Sequence, residues 1–589
     1  MSARLLVLLL VSTFGVLSGC GGGGGGGSTA AAPVAPTTLS GTAAAGAPIA
    51  GIVTVRDSSS PVKEISAPVD SFGKYTVDVS GMSAPFVLRV TGKVGNTSYN
   101  LHSAATQADV GGTVNITPLT DLVLSNVAGQ IAANLYNSGN FSAVTAANIS
   151  NAQSALQAKL QPVLAELGLA ATIDFLRLSF NADHTGMDKL LDALKVDVTT
   201  ASATIKNIIN NSQIVDNFAG ADPAGTLSGT GTKAGLSEFD QIVAQFDVFG
   251  NLFATSLPSM TNPNLTALFD STNFLMEGQT LNQFLTEITT DPTNVGVKFT
   301  NVMIESIDTS AYPYTALVRV EAVQGGLRTD FGMRLGKASA SAKWLLQGDG
   351  RVGYAWVGAN ATLMNPACND GYPNPRSGLL LDVDAPGDAN VDYAIVKGNG
   401  LPAGGVLLFD QKVGNAFKIA TGTYNGTATL GLVCGHHTYF MNDATIAQVV
   451  DNGLYTFELW DDANTPTMSD DVKLHTYTQK LAKAPLLNTQ LSTANFATIT
   501  ANNFSSIVST GGTLNVSWTL PPNMLSDGIF AYRGYLSNVP QDNWDVFGSA
   551  TTTSASTTIS PASGTVAYHG LNVWIEDVYG REFVTQINN

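Results

Sequence analysis

The sequence predicts a multidomain fold that is mainly β, with an α-helical and an α+β segment, so that several β-sandwiches accompany one cone-shaped α+β domain. The chain has 589 residues, and at about 150 residues a domain this length favours about four domains. Apolar residues make up 44% of the chain, which is enough for several packed cores. Segments in which apolar and polar residues alternate recur along the chain, and this period of two is typical of half-buried strands.

The charge balance limits the classes of partner. Lys plus Arg number 28 and Asp plus Glu number 45, which gives a formal net charge of −17. Nucleic acid is not an expected partner, because contacts with phosphates need a basic surface. Only 12% of the residues are charged, about half of the share typical of soluble proteins, so Thr, Ser, Asn and Gly supply much of the surface.

Residues 1–19 have the features of a signal peptide. Arg4 supplies the positive start, and the apolar run from Leu5 to Val16 is too short to span a membrane comfortably. The following Leu17-Ser18-Gly19-Cys20 resembles the lipobox of bacterial lipoproteins. The resemblance implies cleavage before Cys20 and lipid on its sulfur. The alternative is an ordinary signal peptide with an incidental cysteine.

A flexible tether is predicted over residues 20–38, because the glycine run from Gly21 to Gly27 cannot bury a core. In the lipoprotein resemblance, Gly21 in place of Asp after the cysteine implies the outer membrane. The expected location is therefore the bacterial outer membrane, with a lipid anchor at Cys20 and a folded part that is surface-exposed or faces the periplasm. No later segment offers about 18 uninterrupted apolar residues, so no transmembrane helix is expected.

Two further cysteines are predicted to form a disulfide. An extracytoplasmic compartment permits disulfides, and Cys368 and Cys434 are the cysteines that remain after Cys20. A disulfide would close the loop between residues 368 and 434, and in the chain-entropy model this stabilises the folded state by about 4 kcal/mol. A metal site that combines them with His436 and His437 is the weaker alternative, because the close cysteine pair of structural zinc sites is missing.

Residues 39–117 form the first predicted β-sandwich. A strand is predicted from Gly51 to Arg56, and the residues Tyr75, Val77 and Val79 share one face of another. The layout of residues 46–51 and 70–75 resembles carboxypeptidase regulatory-like domains. The resemblance implies a small accessory sandwich without catalysis.

Residues 118–235 are predicted to be mainly helical and to end in a linker. Thr117 can cap a helix that begins at Pro118. Further helical patterns lie near 144–168 and 186–195. The stretch from 196 to 234 is ambiguous and includes a linker rich in Gly and Thr.

Residues 236–360 change from helices to strands and form the predicted α+β domain. Its first helix repeats large apolar residues at helical spacing, namely Leu236, Phe239, Val243, Phe246, Phe249 and Phe253. Strands follow, the last one from Arg351 to Val357. The segment from Lys343 to Gly350 resembles the cone of nuclear-transport-factor-type domains. Enzymes with that fold often carry a His and an Asp in the cavity, but this segment has carboxylates such as Asp330 and no His, so a non-catalytic cone is expected and a carboxylate-only mechanism is the alternative.

The rest of the chain is predicted to be all β. Residues 361–484 are expected to form an immunoglobulin-like domain, in which Tyr455 to Trp460 alternates cleanly. Residues 485–589 resemble a fibronectin type III domain, because Thr513 to Pro521 matches its strand with a Trp and Val573 to Glu582 matches its final hairpin. That resemblance implies a spacer or binding module.

Motifs for catalysis are missing from the sequence, and the chain is therefore not expected to be an enzyme. It contains no Gly-x-Ser-x-Gly nucleophile elbow and no His-Glu-x-x-His zinc motif.

Two acidic segments are candidates for calcium. Around the Pro386-Gly387 turn, carboxylates suited to a hard cation recur at Asp382, Asp384, Asp388 and Asp392; a solvated acidic loop is the alternative. The segment from Asn181 to Asp192 resembles an EF-hand loop but departs from it at the first, fifth and eighth positions, so a helix cap is the favoured interpretation.

The features together predict a lipid-anchored cell-envelope protein that displays β-sandwich binding or spacer modules. The expected partners are the membrane, through Cys20, and glycans or other surface proteins. Two alternatives stay open: a periplasm-facing lipoprotein for ligand capture or envelope assembly, and a lipid-anchored hydrolase.

Overall fold

The computed structural model describes residues 37–588 except 96, 221–222, 224, 325–326, 369–370, 387–389, 410–416, 421, 425–426, 430–436, 464, 466–468, 523, 537–540 and 548–551. Within these ranges strands predominate over helices, and the predicted fold class, mainly β with a helical and an α+β segment, is confirmed. No helix in the described part of the chain has the length and apolar character needed to cross a bilayer.

The first β-module contains two sheets that share one core. Its strands are β1 Thr38–Thr42, β2 Ala50–Arg56, β3 Glu64–Pro68, β4 Lys74–Asp78, β5 Phe86–Val94 and β6 Thr97–Ala105. The pair β1-β4 packs against the four-stranded sheet β3-β2-β5-β6. Tyr75, Val77 and Val79 are all buried in this core, as the alternation predicts.

The helical module follows and has a core of its own. Its elements are α1 Pro118–Ala128, α2 Ala132–Ser138, α3 Ala146–Glu166, α4 Gly186–Ala193, β7 Leu194–Val198, β8 Ser202–Asn207 and β9 Gln213–Asn217. The predicted cap is present, because the Thr117 side chain accepts a hydrogen bond from the backbone N–H of Thr120. The ambiguous stretch after residue 195 contains the antiparallel sheet β7-β8-β9.

The α+β module packs helices on an antiparallel sheet. Its elements are α5 Thr232–Leu252, α6 Pro263–Thr266, α7 Leu281–Thr290, β10 Lys298–Asp308, β11 Tyr314–Gln324, β12 Leu327–Lys337 and β13 Leu345–Leu346. The strands lie in the order β10-β11-β12-β13. Aromatic side chains fill the space between helices and sheet, where the Phe249 ring stacks on Phe299 with centroids 4.6 Å apart.

The remaining elements form the fourth module and the C-terminal module. The fourth module contains β14 Tyr354–Asn365, β15 Arg376–Asp384, β16 Tyr393–Lys397, β17 Val406–Phe409, β18 Lys418–Ile419, β19 Gly422–Tyr424, β20 Thr427–Thr429, β21 Thr438–Phe440, α8 Asp443–Ile446, β22 Leu454–Asp461 and β23 Val472–Lys480. The C-terminal module contains β24 Thr498–Asn502, α9 Phe504–Ile507, β25 Gly512–Thr519, β26 Met524–Tyr535, β27 Asp542–Phe547, β28 Ser554–Ile559, β29 Val566–Asp577 and β30 Glu582–Asn588.

One seven-stranded sheet runs through both of these modules, in the order β21-β15-β14-β30-β29-β26-β27. Its first part covers a core together with the sheet β18-β17-β16-β22-β23, and its second part covers another core together with β24-β25-β28. The two parts join where β14 pairs in parallel with β30. The last strand predicted for the α+β domain, from Arg351 to Val357, overlaps β14. Because β14 pairs with β15 and β30, it belongs to the seven-stranded sheet, and its assignment to the α+β domain is wrong.

The first and last modules also touch. The hairpin between β5 and β6 lies against the turn between β29 and β30, where Ser98 Oγ donates to the backbone oxygen of Tyr579 at 3.2 Å. The modules are therefore not arranged as an open string in which each one contacts only its neighbours along the chain.

Candidate functional site

Three aromatic side chains, Phe530, Tyr532 and Tyr568, form a row on the outer face of the seven-stranded sheet, and we call this row the aromatic platform. Side chains alternate along a strand. Ile529 and Ala531 point into the C-terminal core, so Phe530 and Tyr532 point to the other side of β26. Tyr568, on β29, is 48% exposed.

Glycines on the neighbouring strands make room for the tyrosine rings. In the sheet register, Tyr532 lies opposite Gly570, and Gly534 lies opposite Tyr568. A Cβ atom added to Gly570 would lie 2.4 Å from Cζ of Tyr532, and one added to Gly534 would lie 2.1 Å from Cζ of Tyr568. The end of each ring therefore lies over the adjacent strand, in the space that the glycine leaves.

The spacing of the rings is regular. The ring centroids of Phe530 and Tyr532 are 5.5 Å apart with an angle of 28° between the planes. The centroids of Tyr532 and Tyr568 are 6.4 Å apart with an angle of 58°. The three rings thus form one continuous row.

Amide side chains border the platform and fix the tyrosine hydroxyls. Tyr532 Oη donates to Asn588 Oδ1 at 2.8 Å, and Tyr568 Oη donates to Gln541 Oε1 at 3.1 Å. Asn543 lies directly opposite Tyr532 on β27 and accepts from Gln541 Nε2 at 2.6 Å. Burial raises the pKa of Tyr532, so its hydroxyl stays neutral and able to donate at physiological pH.

Chemically, this arrangement suits a ligand with an apolar face and many hydroxyl groups. The negative face of an aromatic ring attracts the weakly positive C–H groups of a sugar ring. Amide groups can donate and accept at the same time, which matches the hydroxyls at the edge of a sugar.

This platform is not among the features predicted from the sequence. Alternating aromatic residues on β26 are typical of any strand, and a period of two does not say which face is covered. The signal that was available is the pattern Phe530-x-Tyr532-x-Gly534 together with Tyr568-x-Gly570. It places aromatic residues and glycines on the same face of neighbouring strands.

The four aspartates predicted to bind calcium around the Pro386-Gly387 turn do not all lie in a loop. Asp382 and Asp384 lie on strand β15 and not in a loop, and Asp388 lies outside the described residues. Asp392 comes together with the carboxylates of Asp461 and Asp462, where one ligand atom from each lies within 4.8 Å of the others. Asp392 Oδ2 already accepts from the backbone N–H of Asp462 at 3.0 Å. Among the described residues, no group of three potential metal ligands contains Asp382 or Asp384.

The cysteine predictions fall largely outside the described residues. Cys20 and Cys434 are not described. Cys368 lies shortly after β14. The lipid attachment and the disulfide between Cys368 and Cys434 therefore stay predictions.

The aromatic rings of the α+β module pack on one another in its core. A cavity of about 380 Å³ lies on the outer side of α5 and is lined by residues such as Val248, Asn251 and Lys343. Asp330, the carboxylate noted in the sequence, pairs with Arg319.

Comparisons with known proteins leave the family open. No protein-family model matches the chain, and no curated protein matches it either. Among solved structures, the chain is similar to the FN1–FN3 domains of chicken CNTN1, with 9% identity over 49% of this chain and 96% of that one and a TM-score of 0.13. It is also similar to a tetra-tandem repeat from the extending region of a large adhesion protein, with 9% identity over 94% and 99% of the two chains and a TM-score of 0.13. Scores this low carry no argument, so the β-rich modular fold rests on the sheets described above.

Proposed function

We propose that this protein is a lipid-anchored cell-envelope protein whose β-rich modules hold a glycan-binding surface, the aromatic platform, away from the membrane. The observation that carries the proposal is the row of aromatic rings on the outer face of the sheet, in which Tyr532 and Tyr568 lie over glycines of adjacent strands and Tyr568 is 48% exposed.

The platform supports binding by contact. Phenol rings and amides recognise ligands by stacking and hydrogen bonding, and they carry no charge near neutral pH. Neutral recognition groups also suit a chain with a net charge of −17, which repels anionic polymers. We therefore propose a neutral glycan as the ligand and a role that involves no turnover.

The proposed location rests on the sequence. The lipobox-like Leu17 to Cys20 and the glycine run that follows it support a lipid anchor and a tether at the outer membrane. In this arrangement the tether separates the folded modules from the membrane, and the first β-module, which contacts the C-terminal module, connects that module to the tether.

The direct test is retention on polysaccharides. We would run the full chain, purified in detergent, through native gels that contain neutral polysaccharides, beside the variants Tyr532→Ala and Tyr568→Ala. Phe72→Ala is the matched control, because Phe72 is 72% exposed in the first β-module and lies outside the platform. We expect slowed migration of the wild type and of the control, and loss of the retardation in both platform variants.

Two results would overturn the proposal. One is that no neutral polysaccharide retards the wild type while a purified surface protein binds it through the same tyrosines, which would favour a protein partner. The other is that the platform variants are retarded as strongly as the wild type.

A further inference from the structure

A second group of chemically active side chains, His184, Asp188 and Asp192, lies in the helical module, far from the platform in the sequence. The three residues are spaced four apart around the start of α4, so the two aspartates lie on one face of the helix. His184 has a left-handed backbone, with φ of 61°, which turns the chain back toward the helix. One potential ligand atom of each residue lies within 4.8 Å of the other two.

The geometry directs the three side chains to a common point. His184 Nδ1 lies 3.0 Å from Asp192 Oδ2, and the backbone N–H of His184 donates to Asp188 Oδ2 at 2.8 Å. The other oxygen of Asp188, Oδ1, is buried and has no hydrogen-bond partner. A carboxylate oxygen in this position calls for a cation or a proton, since an unsatisfied buried acceptor is costly.

Among the residues that the structure describes, no lysine or arginine neutralises the two buried carboxylates. Asp188 is 0% and Asp192 is 7% exposed. The nearest lysine along the helix, Lys189, instead forms an ion pair with Asp240, with 2.6 Å between Nζ and Oδ2. Among the described residues, no Lys or Arg reaches the carboxylate of Asp188 or Asp192 within ion-pair distance.

Neighbouring elements enclose the group on several sides. The Phe239 ring of α5 meets the His184 ring edge-on, with centroids 5.4 Å apart. A Cβ atom added to Gly46, in the first β-module, would lie 3.5 Å from Asp192 Oδ1. The group therefore lies where the first β-module, α4 and α5 meet, and the His184 side chain, 20% exposed, leaves an entry path.

We propose that His184, Asp188 and Asp192 bind one divalent transition-metal ion, for which Zn²⁺ is the best match, and that the ion fastens the loop that contains His184 to α4. One imidazole nitrogen and two carboxylate oxygens are a ligand set that zinc accepts, with a fourth position left for water. Calcium fits less well, because it takes about six to eight oxygen ligands. Zinc bonds of about 2.0–2.2 Å require ligand atoms that can converge on one point, and one atom of each residue already lies within 4.8 Å of the other two.

The test measures zinc itself. The full chain, purified in detergent without a histidine tag and stripped with a chelator, is titrated with Zn²⁺ in a calorimeter and then desalted for elemental analysis. We expect one zinc ion per chain and a higher melting temperature in its presence. In Asp188→Asn and His184→Gln we expect zinc affinity at least tenfold weaker and no zinc-dependent rise in melting temperature.

Asp183→Asn is the matched control, because Asp183 is exposed in the same loop and belongs to the EF-hand pattern but not to the proposed site. Its zinc binding should equal that of the wild type. Cobalt gives a second readout, since Co²⁺ in a low-coordinate site with an imidazole ligand should develop visible absorption bands that His184→Gln lacks.

The proposal is overturned by any of three results. The stripped wild type takes up no zinc; or Asp188→Asn and His184→Gln, shown by circular dichroism to be folded, bind zinc like the wild type; or Ca²⁺ binds in preference to Zn²⁺ and Asp183→Asn abolishes that binding. The first result would mean that a shared proton neutralises the buried carboxylates.

Discussion

Lys93 Nζ lies 2.6 Å from Glu576 Oε2, although 483 residues separate the two along the chain. Both side chains are 27% exposed, so solvent screens the pair only in part. Burial alone would lower the pKa of Lys93, but the carboxylates of Glu576, Asp527 and Glu582 together outweigh it and raise that pKa. The pair joins the first β-module to the C-terminal module and holds the chain in a closed arrangement.

We expect this ion pair to contribute about 1 kcal/mol to stability. The measurement is a double-mutant cycle of Lys93→Met and Glu576→Gln in urea unfolding, repeated at high salt, which should weaken the coupling. The control cycle uses Lys195 and Asp197, which are 3.8 Å apart and more than 60% exposed, and should show almost no coupling. Equal coupling in both cycles would contradict the prediction.

The fully buried Arg533 should be essential to the C-terminal module. Its guanidinium donates to Asp542, to Tyr535 and to the backbone oxygens of Val508 and Ser560, and its side chain is 0% exposed. Arg533→Leu leaves these acceptors unpaired and should cost about 3–5 kcal/mol in urea unfolding.

Arg533→Lys should rescue little of this loss, because an ammonium group cannot reproduce the planar fork of donors. Asp542→Asn, by comparison, should cost less, since Asp542 is 34% exposed. Full rescue by lysine would show that charge alone matters at this position.

Asp57 should make the first β-module sensitive to acid. Burial would raise the pKa of Asp57, but hydrogen bonds from Ser59, Lys63 and Ser83 outweigh it and hold the pKa below its usual value. A carboxyl group with a lowered folded pKa stabilises the protein above its unfolded pKa of about 3.9, and this contribution is lost as the pH falls through the folded value.

Asp57→Asn should therefore lower stability by about 1–3 kcal/mol at pH 7. The difference from the wild type should shrink as the pH falls below about 4. Urea unfolding at both pH values checks this, and a difference that does not change with pH would contradict it.

Glycan binding should depend on Gly570 although glycine has no side chain to make contacts. The added methyl group of Gly570→Ala would push the Tyr532 ring away from the strand. We expect binding about three- to tenfold weaker, in line with the energy of a single aromatic contact, with little change in stability. Gly404→Ala is the control, because a Cβ atom there meets nothing within 4 Å. Weaker binding in both variants, or in neither, would speak against the platform.

The lipid anchor makes a prediction of its own. Cys20→Ser should leave an unprocessed precursor that incorporates no fatty-acid probe in growing bacteria, because the sulfur that accepts the lipid is gone. Cys368→Ser should still be labelled. Normal labelling of Cys20→Ser would refute the anchor.

The sequence predicted local features well. The alternation of Tyr75, Val77 and Val79 and the cap at Thr117 depend on neighbours a few residues away, and the structure contains both. Pairing between distant strands is different. The alternation of residues along β14 does not indicate that its residue Asn360 lies beside Glu582 of β30. The shared sheet could therefore not be predicted.

Both proposed sites were missed for related reasons. The platform depends on which face of β26 stays open, which only the packing decides. His184, Asp188 and Asp192 are spaced four residues apart. The EF-hand pattern that begins at Asn181 instead assigns ligand positions to a different set of residues. Burial of the unpaired Asp188 oxygen, which distinguishes a site from a helix cap, appears only in three dimensions.

The parallel pairing of β14 with β30 has a consequence for biogenesis. During synthesis, β14 emerges long before its partner β30, and until then one of its edges offers unpaired backbone groups to other strands. The fourth module can complete its own sheet only after the whole C-terminal module has been synthesised. A chain that ends early would thus expose an unpaired strand edge, by which proteases and chaperones can distinguish truncated copies from finished ones.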